Sequence, residues 1–209
     1  MHGRKPQTRI IDPEFLLNAY RQGSFPMAES RTGEINWYSP DPRGIIPLGE
    51  FKISRSLGQT LRKRVFEVRF NTAFDAVINE CGKRDETWIS EIIERSYLNL
   101  HHLGFAHSVE AWSGGNLVGG LYGVSIGGAF FGESMFSIIR DASKVALAFL
   151  VDHLTKRKFS LIDIQFLTPH LAGMGAKEIP RPEYLLRLQE ALRLDRTFIE
   201  QKDRNDQDY

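Results

Sequence analysis

An α/β fold with a mixed sheet, of the α+β kind, follows from three features of the 209-residue sequence. Segments that alternate apolar and polar residues are interspersed with segments of helical apolar spacing. A hairpin signature lies mid-chain, and a short apolar strand follows a long amphipathic helix. The composition is that of a folded globular protein, 42% hydrophobic and 25% charged, which excludes wholesale disorder and fibrous repeats. A single Cys81 excludes a disulfide scaffold and suits a reducing compartment. No apolar run reaches the ~18 residues of a membrane span and the first residues lack a signal-peptide pattern, so a cytoplasmic protein is expected. With a formal net charge of +1, attraction to nucleic acid must come from a local patch.

Taken in order, Asp12-Pro13 supplies a cap and a first-turn proline for a helix of about ten residues that stops at Gly23. From Gly23 to Pro47 turn formers are dense enough to deny a regular ladder or helix, while Phe25, Trp37 and Tyr38 imply packing against something. A boundary is expected near residue 40, which divides the chain into 1–40, 41–195 and a polar tail at 196–209. Residues 66–70 alternate as a strand, and Asn71 or Thr72 caps a helix through Cys81. A helix from about Trp88 to Leu103 carries Ile89, Ile92, Ile93, Tyr97 and Leu100 at helical spacing. Strands at 107–112 and 117–124 flank a Ser113-Gly114-Gly115-Asn116 turn, and 130–136 gives a third. A helix spans about 141–157, with Val145, Ala148, Phe149 and His153 among its inner positions. A strand at 161–166 and a helix at 182–192 close the fold.

Two carboxylates interrupt apolar strands. In Leu161-Ile162-Asp163-Ile164-Gln165-Phe166 the period of two puts Asp163 and Gln165 on one face, and Glu133 is bracketed by aromatics in residues 130–136. Such a carboxylate faces either solvent at an edge strand or a lined cavity, since unpaired burial costs several kcal/mol; two in neighbouring strands favour a shared pocket. Gly123-Val124-Ser125-Ile126-Gly127 matches a nucleophile elbow in letters only, because a strand follows it and not a helix. His101 and His102 lack partners for a metal set and read as helix-dipole partners. Lys52, Arg55, Arg62, Lys63, Arg64 and Arg69 form a basic stretch, readable as a solvated face or as a polyanion contact.

The strings FPM after AYRQG, NWYSPDPRGIIPL, FKISRSL, TWI, GFAHSVEAW, LVGGLYGVSIGGAFFGESMFS, ASKVAL and LIDIQFLTPHLAGMGAKEIPR occur in collinear order over roughly residues 12 to 192. Together they resemble the leucyl/phenylalanyl-tRNA-protein transferase family. The resemblance implies a small N-terminal domain joined to a domain like the GNAT (acyl-CoA N-acyltransferase-like) enzymes, used without acetyl-CoA or any other cofactor or metal. It implies an aminoacyltransferase that moves Leu or Phe, and Met less well, from aminoacyl-tRNA to proteins beginning with Arg or Lys, making an N-degron for protein degradation. A cytoplasmic monomer with no membrane partner is expected. By motif position Asp163 and Gln165 match the family's catalytic pair, and Glu133 matches the acid associated with the acceptor. Leu121, Phe130, Leu147, Leu150 and Ile162 match its aminoacyl pocket. Trp88 matches the aromatic near the terminal adenosine, and Arg55, Arg62 and Lys63 fall in its tRNA-binding stretch. Met27, Tyr38 and Thr168 depart from the family's usual Trp, Trp and Asn, which implies altered contacts on the adenosine side. The rival readings are an acyl-CoA-dependent GNAT enzyme, for which no convincing pyrophosphate loop precedes the helix at 141, and a non-catalytic RNA-binding module built on residues 50–70.

Overall fold

The computed structural model describes residues 10–84 and 87–199. Its elements are α1 Pro13–Arg21, β1 Phe25–Ala28, β2 Ile35–Tyr38, β3 Arg43–Ile46, α2 Arg55–Lys63, β4 Glu67–Phe70, α3 Phe74–Gly82, α4 Glu91–His102, β5 Ala106–Ser113, β6 Asn116–Ile126, β7 Ala129–Ser137, α5 Ala142–Lys156, β8 Leu161–Gln165, α6 Pro169–Ala172, β9 Lys177–Ile179 and α7 Arg181–Leu192. A seven-stranded sheet in the order β4-β5-β6-β7-β8-β3-β9 forms the middle layer. It is antiparallel except for β7 beside β8, and the crossover that a parallel pair requires is supplied by α5. Mixed α/β architecture is thus what the structure has.

Each sheet face buries its own core. On one face lie Leu16, Leu17 and Tyr20 of α1, Val77 and Ile78 of α3, Ile93, Tyr97 and Leu100 of α4, and Tyr184 and Leu188 of α7. Against the other pack Val145, Leu147, Leu150 and Leu154 of α5 and Leu57 of α2. No helix of the described residues is long and apolar enough to cross a membrane.

Local differences from the sequence expectations have physical causes. The proline-dense stretch does form strands: β1 and β2 pair as a two-stranded ribbon, and β3 enters the main sheet between β8 and β9. Prolines 40, 42 and 47 lie outside the strands, and Pro26 sits in an isolated pair where no inner ladder is broken. The basic stretch is a helix, α2, capped by Ser54. Neither Asn71 nor Thr72 caps α3 with its side chain; the buried Glu110 carboxylate accepts from the backbone N–H groups of Thr72 and Ala73 instead. Trp88 and Ile89 precede α4, whose cap is Ser90. Phe149 is 41% exposed and not an inner position. His101 hydrogen-bonds the Ala106 carbonyl at 2.8 Å and stacks on Phe74, and burial lowers its pKa. Within the expected tail, Phe198 is buried against Phe70, His107, Phe130 and His153, while 200–209 lie outside the described residues.

Candidate active site

The site is built where the sheet splits. β7 and β8 pair only at Ala129↔Leu161, Phe130↔Ile162 and Phe131↔Asp163; beyond that β7 runs on to Ser137 without β8. At the split, Tyr122 pairs with Ser134 and Gly123 with Gly132, so Glu133 is the extra residue of a β-bulge. Gly123 permits this: a Cβ there would stand 2.2 Å from the Phe131 carbonyl oxygen. A bulge re-aims its side chain, and Glu133 turns into a cavity of about 330 Å³ that opens between the diverging strands.

The cavity has two ends. Leu121 from β6, Leu147 and Leu150 from α5, and Ile162 and Ile164 from β8 form an apolar end. Phe25, Met27, Trp88, Tyr122, Glu133 and Gln165 surround the other. A more open hollow lined by Glu29, Ser30, Arg31 and Thr87 shares Met27, Arg84 and Trp88 with it. A volume in this range suits a small-molecule group or one amino-acid side chain.

Asp163 is fully buried and does not line the cavity. Its Oδ1 accepts from Arg43 Nε and from the Gln165 backbone N–H, both at 2.9 Å, and its Oδ2 accepts from Arg43 Nη2 and the Tyr184 hydroxyl, both at 2.7 Å. The Arg43 guanidinium, 1% exposed, lies between the rings of Phe25 and Tyr184 and gives its remaining Nη1 to the Gly23 carbonyl. Burial opposes the Arg43 charge, but the hydrogen bonds and charge of Asp163 outweigh it and raise its pKa. Burial, followed by the Asp163 charge, pushes the Tyr184 phenol up as well, so it remains a donor.

Gln165 is where the period-two pattern breaks. The Phe166 N–H donates to the Ile164 carbonyl at 2.6 Å and Gln165, between them, has φ +58°, the geometry of a strained three-residue turn. For a residue with a Cβ such a turn costs on the order of 1–3 kcal/mol and persists only where its surroundings impose it. The Asp163 carboxylate imposes it from one side. On the other Gly44 is pressed close: a Cβ there would meet the Leu167 nitrogen and Phe166 carbonyl carbon at 3.0 Å. The turn swings the Gln165 side chain to the cavity, with Nε2 3.4 Å from Glu133 Oε1.

Glu133 also accepts from Tyr20 of α1, at 2.7 Å on Oε1, and from Tyr97 of α4, at 3.1 Å on Oε2. The two tyrosine hydroxyl oxygens also lie within hydrogen-bond distance of each other, so with one proton apiece the phenols supply two of these three contacts at a time. Burial pushes the Glu133 carboxyl up to about 8, with the tyrosine hydrogen bonds and Arg43 pulling down and Asp163 pushing up.

The structure therefore brings Gln165, Glu133, Trp88, Leu121, Leu147, Leu150 and Ile162 to one cavity. It sets Asp163 behind Gln165 and Phe130 behind the apolar end, where Phe130 stacks on Phe198. Arg55, Arg62 and Lys63 are exposed on α2, outside the cavity lining, with Arg55 and Arg62 two turns apart on one helix face. Sequence reasoning missed Arg43, Tyr20 and Tyr97. Only the apolar run Gly44-Ile45-Ile46 after Arg43 hinted at a strand, and both tyrosines occupy ordinary core positions of helices. Gly123 to Gly127 is a strand ending in a hairpin turn. Cys81 is a buried thiol pushed up to about 12 by its burial. Among the described residues no three metal-ligating side chains cluster.

Residues 45–189 match the family model described as leucyl/phenylalanyl-tRNA protein transferase, and residues 9–41 match that of its N-terminal domain. Curated relatives bearing the same name include one from Herpetosiphon aurantiacus, 54% identical over 192 residues that cover 91% of this chain and 100% of the relative. Another from Chlorobaculum parvum is 53% identical over 194 residues, with the same shares. Among solved structures, L-PGS from Bacillus licheniformis is similar at a TM-score of 0.44 and 13% identity, over 77% of this chain and 55% of that one, too loosely to carry an argument.

Proposed function

Because this chain belongs to the leucyl/phenylalanyl-tRNA protein transferase family, and so is an aminoacyltransferase, we propose that it moves Leu or Phe, and Met less well, from the 3′ end of aminoacyl-tRNA to the α-amino group of a protein beginning with Arg or Lys. The product is an N-degron that marks the protein for degradation. One observation carries this reading: an apolar pocket and a pair of polar side chains meet in one cavity at the split of β7 and β8. The apolar end takes the donor side chain. Its wall makes no hydrogen-bond demand and a methylene is worth only ~1–3 kcal/mol, so Leu, Met and Phe are all accepted. Phe130 supports that wall from behind. Trp88 stands where the cavity meets the open hollow and stacks the terminal adenosine, and Arg55, Arg62 and Lys63 hold phosphates further along the tRNA.

An aminoacyl ester is already activated, so positioning supplies most of what chemistry requires, up to ~7–11 kcal/mol in ideal cases. With its nitrogen turned to Glu133, the Gln165 amide offers its oxygen to an N–H of the incoming amine. Asp163 acts through Gln165: it pins the backbone N–H that fixes the turn and touches no substrate. Glu133 faces the acceptor's cationic end.

The division into 1–40 and 41–195, a GNAT-like character for the larger part, a monomeric state and a cytoplasmic setting belong to the same proposal. An antiparallel β4–β7 run followed by a diverging parallel strand supports the GNAT-like assignment, and a charged-tRNA substrate supports the setting. The test follows radiolabelled Leu from charged tRNA onto peptides. Labelling of those beginning with Arg or Lys is expected, and labelling only of one beginning with Ala would refute the acceptor assignment.

A further inference from the structure

Resting on that reading of the site, we propose that Glu133 is the group that takes the proton from the attacking α-amino nitrogen, and that Tyr20 and Tyr97 hold its carboxylate in place for the step. Two of the alternatives at the site are closed, Asp163 by its geometry and Gln165 by its chemistry. Each oxygen of Asp163 already accepts two hydrogen bonds, and the carboxylate lies behind Gln165, away from the cavity. The Gln165 amide binds no proton near neutrality. Among the described residues Glu133 is the carboxylate that lines the cavity. Among the described residues its Oε1 accepts from Tyr20 and Gln165, whereas its Oε2 accepts from Tyr97 alone and keeps a lone pair for a proton. The 3.4 Å separation of Gln165 Nε2 from Glu133 Oε1 places the two side chains together, so an amine held by the Gln165 oxygen is within reach of Glu133.

The step balances within the substrates. The acceptor enters as a free amine after its ammonium has lost a proton to solvent. As the bond from its nitrogen to the ester carbonyl carbon forms, one N–H proton passes to Glu133 Oε2. The bond from that carbon to the ribose oxygen breaks, and the proton passes on to that oxygen, which returns Glu133 to the carboxylate. Among the described residues the titratable and charged groups facing Glu133 are Tyr20 on α1, Tyr97 on α4, Tyr122 on β6, Asp163 on β8 and Arg43 on β3, with Arg84 and His170 lining the same cavity. Burial holds the Glu133 carboxyl near 8, close to the pH at which the acceptor is a free amine and so within the range where general-base transfer is efficient.

The experiment measures single-turnover transfer of leucine from charged tRNA to a saturating peptide beginning with Arg, across the neutral and alkaline pH range. Glu133→Gln is expected to slow the chemical step ~10²–10⁴-fold at saturating acceptor, beyond any rise in the acceptor KM, leaving a profile governed by the acceptor amine alone. Tyr97→Phe, which removes a donor to the carboxylate, is expected to move the ascending limb to higher pH while the amine's own titration stays put. Unchanged turnover with a raised acceptor KM in Glu133→Gln would overturn the proposal and reduce Glu133 to an anchor for the acceptor's charge. A limb unmoved by Tyr97→Phe, or one abolished instead by His170→Asn, the other base among the described residues lining the cavity, would also overturn it. Failure of the unmodified enzyme to label any such peptide would count against the transferase reading and not against this assignment.

Discussion

Replacing Asp163 by Ala removes the partner of a guanidinium that is 1% exposed. Two of the four hydrogen bonds that disappear come from Arg43 itself, which is left buried with the Gly23 carbonyl as its one acceptor among the described residues. Breaking a buried pair from one side costs ~3–5 kcal/mol. Adding the four bonds singly, at ~1.5–3 kcal/mol each, would overstate this, because they form one network and are not additive. A domain of this size shifts by ~2–4 °C per kcal/mol, so the melting temperature should fall by ~6–20 °C, as read by calorimetry. Activity should fall further than stability explains, since the Gln165 turn loses its anchor. Replacing Asp163 by Leu and Arg43 by Met together should restore much of the melting temperature, because an apolar pair of similar volume is often neutral or better, but should not restore transfer. An Asp163→Ala protein that melts like the parent while losing all turnover would refute the reasoning: it would mean that the carboxylate is free for chemistry and not locked to Arg43.

Replacing Gln165 by Gly relieves the φ +58° backbone and should leave the melting temperature equal or higher while transfer drops ~10²-fold or more, measured on one preparation. Replacing Leu150 by Phe narrows the apolar end, so the ratio of Phe to Leu transfer from the two charged tRNAs should fall several-fold. Glu133 holds its proton to about 8 in the fold against an ordinary 4.5. Its stabilising effect is complete below the lower value and is lost as pH rises to the upper. Across that window Glu133→Gln should gain stability relative to the parent, by roughly 3–5 kcal/mol at the top, in denaturation at stepped pH. Neutralising Arg55, Arg62 and Lys63 should weaken tRNA binding and flatten its logarithmic salt dependence, by up to ~0.9 for each phosphate no longer neutralised, in filter binding across a salt series.

Much of this was written locally in the chain. Asp12-Pro13 with Gly23 bounds α1, Gly114-Gly115 turns the β5–β6 hairpin, and the apolar face of α5 is periodic. These signals act within a few residues and survive tertiary context. The carboxylates of Glu133 and Asp163 also stood out, because an acid amid aromatics or Ile must be accounted for. What no local pattern holds is which acid reaches the cavity. Arg43 meets Asp163 across 120 positions, from a strand hidden among prolines. The shared face inferred for Asp163 and Gln165 assumed an unbroken strand, and the positive φ at Gln165 ended it. Glu133 opens on the cavity because β7 bulges there, a feature fixed by pairing with β6 and not by its own letters.

The central claim is that the amine and the ester meet at the split between β7 and β8. A crystal structure with leucyl-adenosine joined by a non-hydrolysable amide tests it most directly. The leucyl side chain should lie among Leu121, Leu147, Leu150 and Ile162, with its carbonyl carbon close enough to the Gln165 amide for an amine held there to stand at ~3–3.5 Å. An analogue seated elsewhere, along α2 or in the hollow beyond Trp88 with the apolar end empty, would contradict the account.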